Sequence, residues 1–295
     1  MSSISLCMIV KNEEELLGGC LESVQGEVDE IIVVDTGSTD RTVEIAQQAG
    51  AKVFHFDWID DFGAARNVSL QHATSEYVLV LDADERLVAG AREEFSKLFG
   101  KQDVLIGLIP LHQATSKNAT IPQVLDGSHR QGAPVFVPRF MKRTEDLVYF
   151  GAVHEQPKYG AREEEYGIIN TGIVHLGADV AIRQSKNKGE RNLELLMENI
   201  NKHDNLPLYW GYLASELSSA GRYDEMWDAV EKGWIAVKKT IEEGTLYVDS
   251  TIASIYPAML FERGRHKDAF DALRVIYSRE RPDIMISPNL LYSTA

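Results

Sequence analysis

The sequence predicts an α/β domain with a mostly parallel sheet, followed by an all-α region of helical hairpins. Three observations carry that reading. Short apolar runs of strand length alternate with amphipathic helical patterns up to about residue 110. Polar clusters follow three of those runs, where open α/β sheets bind their ligands. From about Val180 the pattern is helical throughout, with glycines at the turns. The boundary is placed at 178/179, giving units 1–178 and 179–295.

Ile4–Val10 (ISLCMIV) is a continuous apolar run, as in a strand buried on both faces. Asn12 is placed to cap a helix, with Glu15 three residues on and Glu13 and Glu14 in the first turn. Leu17, Leu21 and Val24 mark one face of that helix. Glu30–Asp35 (EIIVVD) reads as the second strand, Ser38 or Thr39 as the cap of the next helix, and Gly50 as its end. Ala51–Phe56 fits a third strand, Phe62–Ala73 a helix and Tyr77–Leu81 a fourth strand. Strand, helix, strand repeated in this way implies right-handed crossovers and parallel pairing.

Residues 113–134 are polar, contain Gly and Pro and lack periodicity, so they read as a long functional loop. Strand-like pieces return at Val135–Lys142, Leu147–Phe150 and Ile168–Leu176. Farther on, Leu193, Leu196, Met197 and Ile200 share one helical face. Tyr212–Met226 and Tyr256–Ala269 each read as a helix, a glycine (Gly221, Gly264) and a second helix. That pattern fits degenerate tetratricopeptide-type hairpins or two ordinary helical hairpins.

The chain has 45 acidic against 30 basic residues, a formal net charge of −15, which argues against sequence-independent nucleic-acid binding. No apolar run approaches the length of a transmembrane helix, and Ile4–Val10 is too short and too acidic in its sequel to be a signal peptide. Cys7 and Cys20 make no disulfide framework, so a cytoplasmic setting is expected. Gly-rich phosphate loops are missing, which removes most of the case for Rossmann or Walker-type binding.

Chemistry is expected at the ends of strands one, two and four: Lys11-Asn12-Glu13, Asp35-Thr36-Gly37-Ser38 and Asp82-Ala83-Asp84-Glu85. Asp82 and Asp84, at i and i+2 on extended backbone, would point the same way and offer oxygens to Mn²⁺ or Mg²⁺, which can also hold substrate phosphates. An ordinary acidic turn is the plain alternative. A metal lets an acidic chain bind a diphosphate. Arg66 is the best-placed basic helper, with a surface ion pair to Asp60 or Asp61 as its alternative, and Arg183, Lys186, Lys188 and Arg191 form a basic run that reads as a solvated helix face.

The segments ISLCMIVKNEE (from Ile4), DEIIVVDTGSTDRT (from Asp29), FGAARN (from Phe62) and LVLDADER (from Leu79) resemble family 2 glycosyltransferases, most closely the lipooligosaccharide glucosyltransferase subgroup. The resemblance covers about residues 3–90 and continues weakly through Val153-His154-Glu155 and His175-Leu176-Gly177. It implies a GT-A fold, a UDP-sugar donor and inversion at the anomeric carbon. By the same resemblance Val10, Lys11 and Glu13 would flank the base and ribose, Asp35 would accept from a uracil N–H, Arg66 would lie near the donor, Asp82 near the ribose or sugar and Asp84 on the metal.

Inverting transfer needs a group that takes the acceptor proton. Glu155 is the candidate base, with Asp84 second; His154 would help hold the acceptor and His175 would complete the metal sphere, imidazole suiting Mn²⁺ better than Mg²⁺. UDP-glucose and UDP-GlcNAc are the favoured donors, and the acceptor is a saccharide or a polypeptide. The helical region would supply a peptide-binding surface or a homodimer contact. A nucleotidyltransferase and a non-enzymatic helical-repeat scaffold are the rival readings.

Overall fold

The computed structural model describes residues 2–101, 104–160, 165–177, 188–202, 206–242 and 250–277. The chain divides into two compact units, Met1–Lys186 and Asn187–Ala295. Arg183 and Lys186 of the basic run lie outside the described residues.

Eleven strands are described in the first unit: β1 (Ile4–Val10), β2 (Glu30–Asp35), β3 (Lys52–His55), β4 (Tyr77–Val80), β5 (Glu85–Leu87), β6 (Val104–Gln113), β7 (Val135–Lys142), β8 (Leu147–Phe150), β9 (Gln156–Tyr159), β10 (Glu165–Ile168) and β11 (Ile173–His175). Its helices are α1 (Leu17–Ser23), α2 (Thr42–Gln48), α3 (Phe62–His72), α4 (Ala91–Ser96) and α5 (Ile121–Leu125). The main sheet runs β3-β2-β1-β4-β7-β6-β11-β5, with β10 also on β6, while β8 and β9 form a separate hairpin. Pairing is parallel across β3, β2, β1 and β4, and antiparallel where β7 enters.

Alternation along β1 and β4 explains why both are apolar throughout. Ile4, Leu6, Met8 and Val10 join Leu79, Leu81, Leu17, Leu21 and Phe95 in one core, with α1, α2 and α4. Cys7, Val78 and Val80 face the other way, into a core made with Leu70 of α3 and Leu147, Tyr149 and Tyr159 of the hairpin. Covered on both faces, these strands project only their carboxyl ends, which is where the polar clusters sit.

Several local expectations give way. Asn12 does not cap α1: it takes φ +53°, and its Oδ1 accepts the Thr39 N–H at 2.8 Å. The helix begins later, at Leu17, after turns on the Glu13 carbonyl. Ser38 and Thr39 likewise bind Asn12 instead of capping α2, whose first N–H, from Thr42, goes to Asp40. Of the strand-like piece 168–176 only Ile173–His175 forms a strand, β11, while β10 lies just before it and ends at Ile168; both run parallel to β6. Residues 113–134 contain α5, opened by a Thr120–Gln123 capping box.

The second unit, among described residues, contains α6 (Lys188–Lys202), α7 (Pro207–Ser219), α8 (Tyr223–Glu242), α9 (Ser250–Glu262) and α10 (His266–Tyr277). The two glycine turns have one geometry. Gly221 and Gly264 adopt φ +72° and +73°, and the next N–H, from Arg222 or Arg265, reaches back to Leu217 or Leu260 at 2.9 Å. This is a Schellman closure, open to glycine because no Cβ clashes in the left-handed region. Each arginine then pairs with an acid three residues on, Glu225 or Asp268. The hairpins are therefore alike in detail, 43 residues apart.

Candidate active site

Two groups of side chains form beyond the carboxyl ends of the strands. The first centres on Arg66. Asp61 Oδ1 caps α3 by accepting the Ala64 N–H, and the helix start docks on the segment before Glu155 through Phe62 N–H to Ala152 O at 2.8 Å and Gly63 N–H to Gly151 O at 3.2 Å. A Cβ at Gly63 would lie 2.6 Å from the Gly151 oxygen, so the close approach requires glycine. Asn67 clamps Tyr149 of β8 from both sides, accepting its N–H at 2.7 Å and donating to its carbonyl at 2.9 Å. These contacts bring Glu155 and α3 together across the chain.

Arg66, 6% exposed, then donates through Nε to Glu155 Oε1 at 2.5 Å and through Nη2 to Asp82 Oδ1 at 2.8 Å. It thus reaches neither Asp60 nor Asp61. The other Asp82 oxygen accepts from Arg139 Nη2 at 3.0 Å, and the same nitrogen donates to Glu85 Oε1 at 2.6 Å. Burial works against charge at Asp82, but Arg139 and Arg66 outweigh it and hold its carboxyl well below the usual carboxylate range. Burial pushes Glu85 up to about 6, with Arg139 pulling down and the Asp82 charge pushing up.

The second group is Asp84 with His175. Asp84 is 4% exposed, and its Oδ2 stands 3.5 Å from His175 Nε2. Gln113 Oε1 sits 2.6 Å from His175 Nδ1, so the ring is oriented with Nε2 toward the carboxylate. Burial depresses the imidazole, but the hydrogen bond and charge of Asp84 raise its pKa overall. Gly177 closes this cradle: a Cβ there would fall 2.1 Å from Asp84 Oδ2 and 2.6 Å from His175 Nε2.

That donor set fits a divalent cation. A carboxylate and an imidazole suit Mn²⁺, and Asp84 and His175 are the residues that would hold it. Among the described residues no group of three His, Cys, Asp or Glu side chains converges for a metal. Asp82 and Asp84 face different groups: Asp82 faces the two arginines and Asp84 faces His175. The reason is that β4 ends at Val80 and the acidic residues lie in a turn, where the alternation of extended backbone no longer holds.

The remaining candidates line the ends of β1 and β2. Val10 pairs with Asp35 in register. Asp35 is 3% exposed and accepts the Gly37 and Ser38 N–H groups at 3.1–3.2 Å. Lys11 is exposed, and Glu13 N–H donates to Thr42 Oγ1 at 2.7 Å. His154 adopts φ +53° in the turn before Glu155.

The family model for Glycosyl transferase family 2 matches residues 5–160. The chain belongs to that family. Its first unit has the GT-A fold of that family, which speaks against the nucleotidyltransferase reading. It is similar to the SPbeta prophage-derived glycosyltransferase SunS of Bacillus subtilis, 27% identical over 284 residues, 94% of this chain and 64% of that protein. A TPR repeat-containing protein of Synechococcus elongatus is 53% identical over 105 residues, 36% of this chain and 26% of that protein. The chain thus spans between about a quarter and two thirds of the length of these curated relatives. The crystal structure of S. aureus TarS 1–349 shares the fold, with a TM-score of 0.50 and 16% identity over 94% of this chain and 92% of that one.

Arg139 and Gln113 were not among the residues expected at the site, and Glu85 was expected only as part of the acidic cluster after β4. A single Arg inside the apolar run VFVPRFM was the available signal for Arg139. The bond from Arg139 to Glu85 and the contact of Gln113 with His175 depend on strand pairings distant in sequence. No helix among the described residues is long and apolar enough to cross a membrane.

Proposed function

We propose that the chain transfers a hexose from a UDP-sugar, UDP-glucose or UDP-GlcNAc, with inversion to a saccharide or polypeptide acceptor. The observation that carries this is the Asp84–His175 cradle at 3.5 Å beside the Arg66–Asp82–Glu155 cluster. Asp84 and His175 would hold Mn²⁺ or Mg²⁺, which supplies Lewis-acid stabilisation of the departing diphosphate. Asp35 at the end of β2, flanked by Val10, Lys11 and Glu13, receives the uridine.

Glu155 takes the acceptor proton while the acceptor atom attacks the anomeric carbon and the bond to the diphosphate breaks. Arg66 holds Glu155 through one oxygen and leaves Oε2 without a hydrogen bond among the described residues. Asp82, fixed by two arginines, stays ionised and faces the ribose or sugar. His154 sits next to Glu155 on the acceptor side. Every residue invoked lies in the first unit.

The test is UDP release from UDP-glucose, UDP-GlcNAc and UDP-galactose, with Mn²⁺ and with EDTA. Metal-dependent release from one of the three is expected; release from none of them would overturn the reading.

A further inference from the structure

We propose that Arg139 is a positioning residue of the donor site: it fixes the acidic loop Asp82–Glu85, and through it Asp84, in the shape that binds metal. The inference rests on the metal reading above.

Arg139 arrives by a local irregularity. On β6, Gly107 pairs with Phe140 and Leu108 with Pro138, so Arg139 has no partner and is the extra residue of a β-bulge. Bulges of this kind re-aim one side chain out of the alternation of the strand. Pro138 before it has no N–H to lose from the ladder. The side chain is brought to the carboxyl end of β4, where it is 16% exposed.

There, one nitrogen closes a ring of contacts. Arg139 Nη2 binds Asp82 Oδ2 at 3.0 Å and Glu85 Oε1 at 2.6 Å, while Glu85 Oε2 accepts the Asp82 backbone N–H at 2.9 Å. The loop is thus tied at both ends, and Asp84 lies inside it. Glu85 also opens β5, directly opposite His175 of β11, and Asp84 O accepts the Leu176 N–H at 2.8 Å. A shift at Glu85 therefore displaces both halves of the Asp84–His175 cradle. Arg139 acts on Asp84 and His175 through this loop and the β5–β11 pairing. Its Nε is buried without a hydrogen bond among the described residues. The guanidinium is placed by the two carboxylates, at the cost of leaving one of its own donors unmade.

The experiment titrates Mn²⁺ into the full chain with UDP present, reading free Mn²⁺ by electron paramagnetic resonance. Arg139→Gln should weaken Mn²⁺ binding by at least about tenfold, as loss of an outer-shell support does. The Mn²⁺ concentration for half-maximal turnover should rise by the same factor, while UDP affinity in EDTA stays within about twofold. Arg139→Lys keeps the charge but not the fork, and should fall between the two. Should Arg139→Gln not fold, Glu85→Gln is the second variant: it keeps an acceptor for the Asp82 N–H, loses the Arg139 bond and should show the same selective loss. Unchanged Mn²⁺ binding in the folded variants, or equal loss of UDP binding with and without metal, would overturn the positioning role alone. Failure of the unsubstituted protein to bind Mn²⁺ with UDP would instead remove the metal reading, and this inference with it.

Discussion

His175 Nε2 stands 3.5 Å from Asp84 Oδ2 because the strand that follows the acidic loop runs antiparallel to β11 with Glu85 opposite His175. Residues 91 positions apart in sequence are joined by a ladder of three residues, and backbone hydrogen bonding sets their separation. The imidazole is further fixed from behind by Gln113 on β6.

Gly177 is the most economical probe of that cradle. Replacing it with Ala places a methyl group 2.1 Å from Asp84 Oδ2 and 2.6 Å from His175 Nε2, so one of the two side chains must move. Gly177→Ala should weaken Mn²⁺-dependent donor turnover by about tenfold or more, in line with a misplaced ligand. The thermal midpoint should change far less. Paired turnover and melting measurements check the contrast.

Arg66→Met removes the cation shared by Asp82 and Glu155 and leaves Glu155, 13% exposed, facing a desolvated gap. Breaking a buried pair from one side costs about 3–5 kcal/mol; with Asp82 38% exposed and partly screened, about 2–4 kcal/mol is expected here. A fall in the thermal midpoint of roughly 5–10 °C follows for a unit of this size. Turnover should fall in parallel, since the candidate base loses its holder.

Acid sensitivity should come partly from the opposite end of the sheet. Burial would raise Glu30, but hydrogen bonds from Lys52, Ser5 and Thr74 bring it down to about 2. A carboxyl depressed on folding contributes stability above its ordinary value of 4.5, lost as pH falls toward about 2. Glu30→Gln should therefore cost about 1–2 kcal/mol at neutral pH, after allowing for screening at the 59%-exposed Lys52. It should also flatten the stability curve between pH 4.5 and 2. Glu85 has the opposite sign. Its folded value of about 6 lies above the ordinary 4.5, so its contribution is present at low pH and declines as pH rises between the two. Denaturant midpoints across pH 2–7 separate the two slopes.

Much of this architecture was legible because it rests on period and burial. ISLCMIV and YVLVL declare strands covered on both faces, and FGAARN with its neighbours marks the start of α3. The positions of Asp82 and Asp84 after β4 and of Arg66 on α3 come with those elements. What could not be read was set by contacts distant in sequence. Asn12 looks like a cap until Thr39 is brought within 2.8 Å by the β1–β2 pairing. The common direction assumed for Asp82 and Asp84 failed because the strand stops at Val80. Arg139 depends on a one-residue slip between β6 and β7, and such slips leave no periodic trace.

Whether Asp84 and His175 carry a metal that binds the donor diphosphate is decided by calorimetric titration of UDP. Comparison is made between the unsubstituted protein and Asp84→Ala, each with Mn²⁺ and with EDTA. Mn²⁺ should strengthen UDP binding to the unsubstituted protein, and Asp84→Ala, folded by circular dichroism, should lose that gain. Turnover in that variant should fall at least about 100-fold, the effect of forfeiting several kcal/mol of charge stabilisation. Equal enhancement by Mn²⁺ in both proteins would contradict the account.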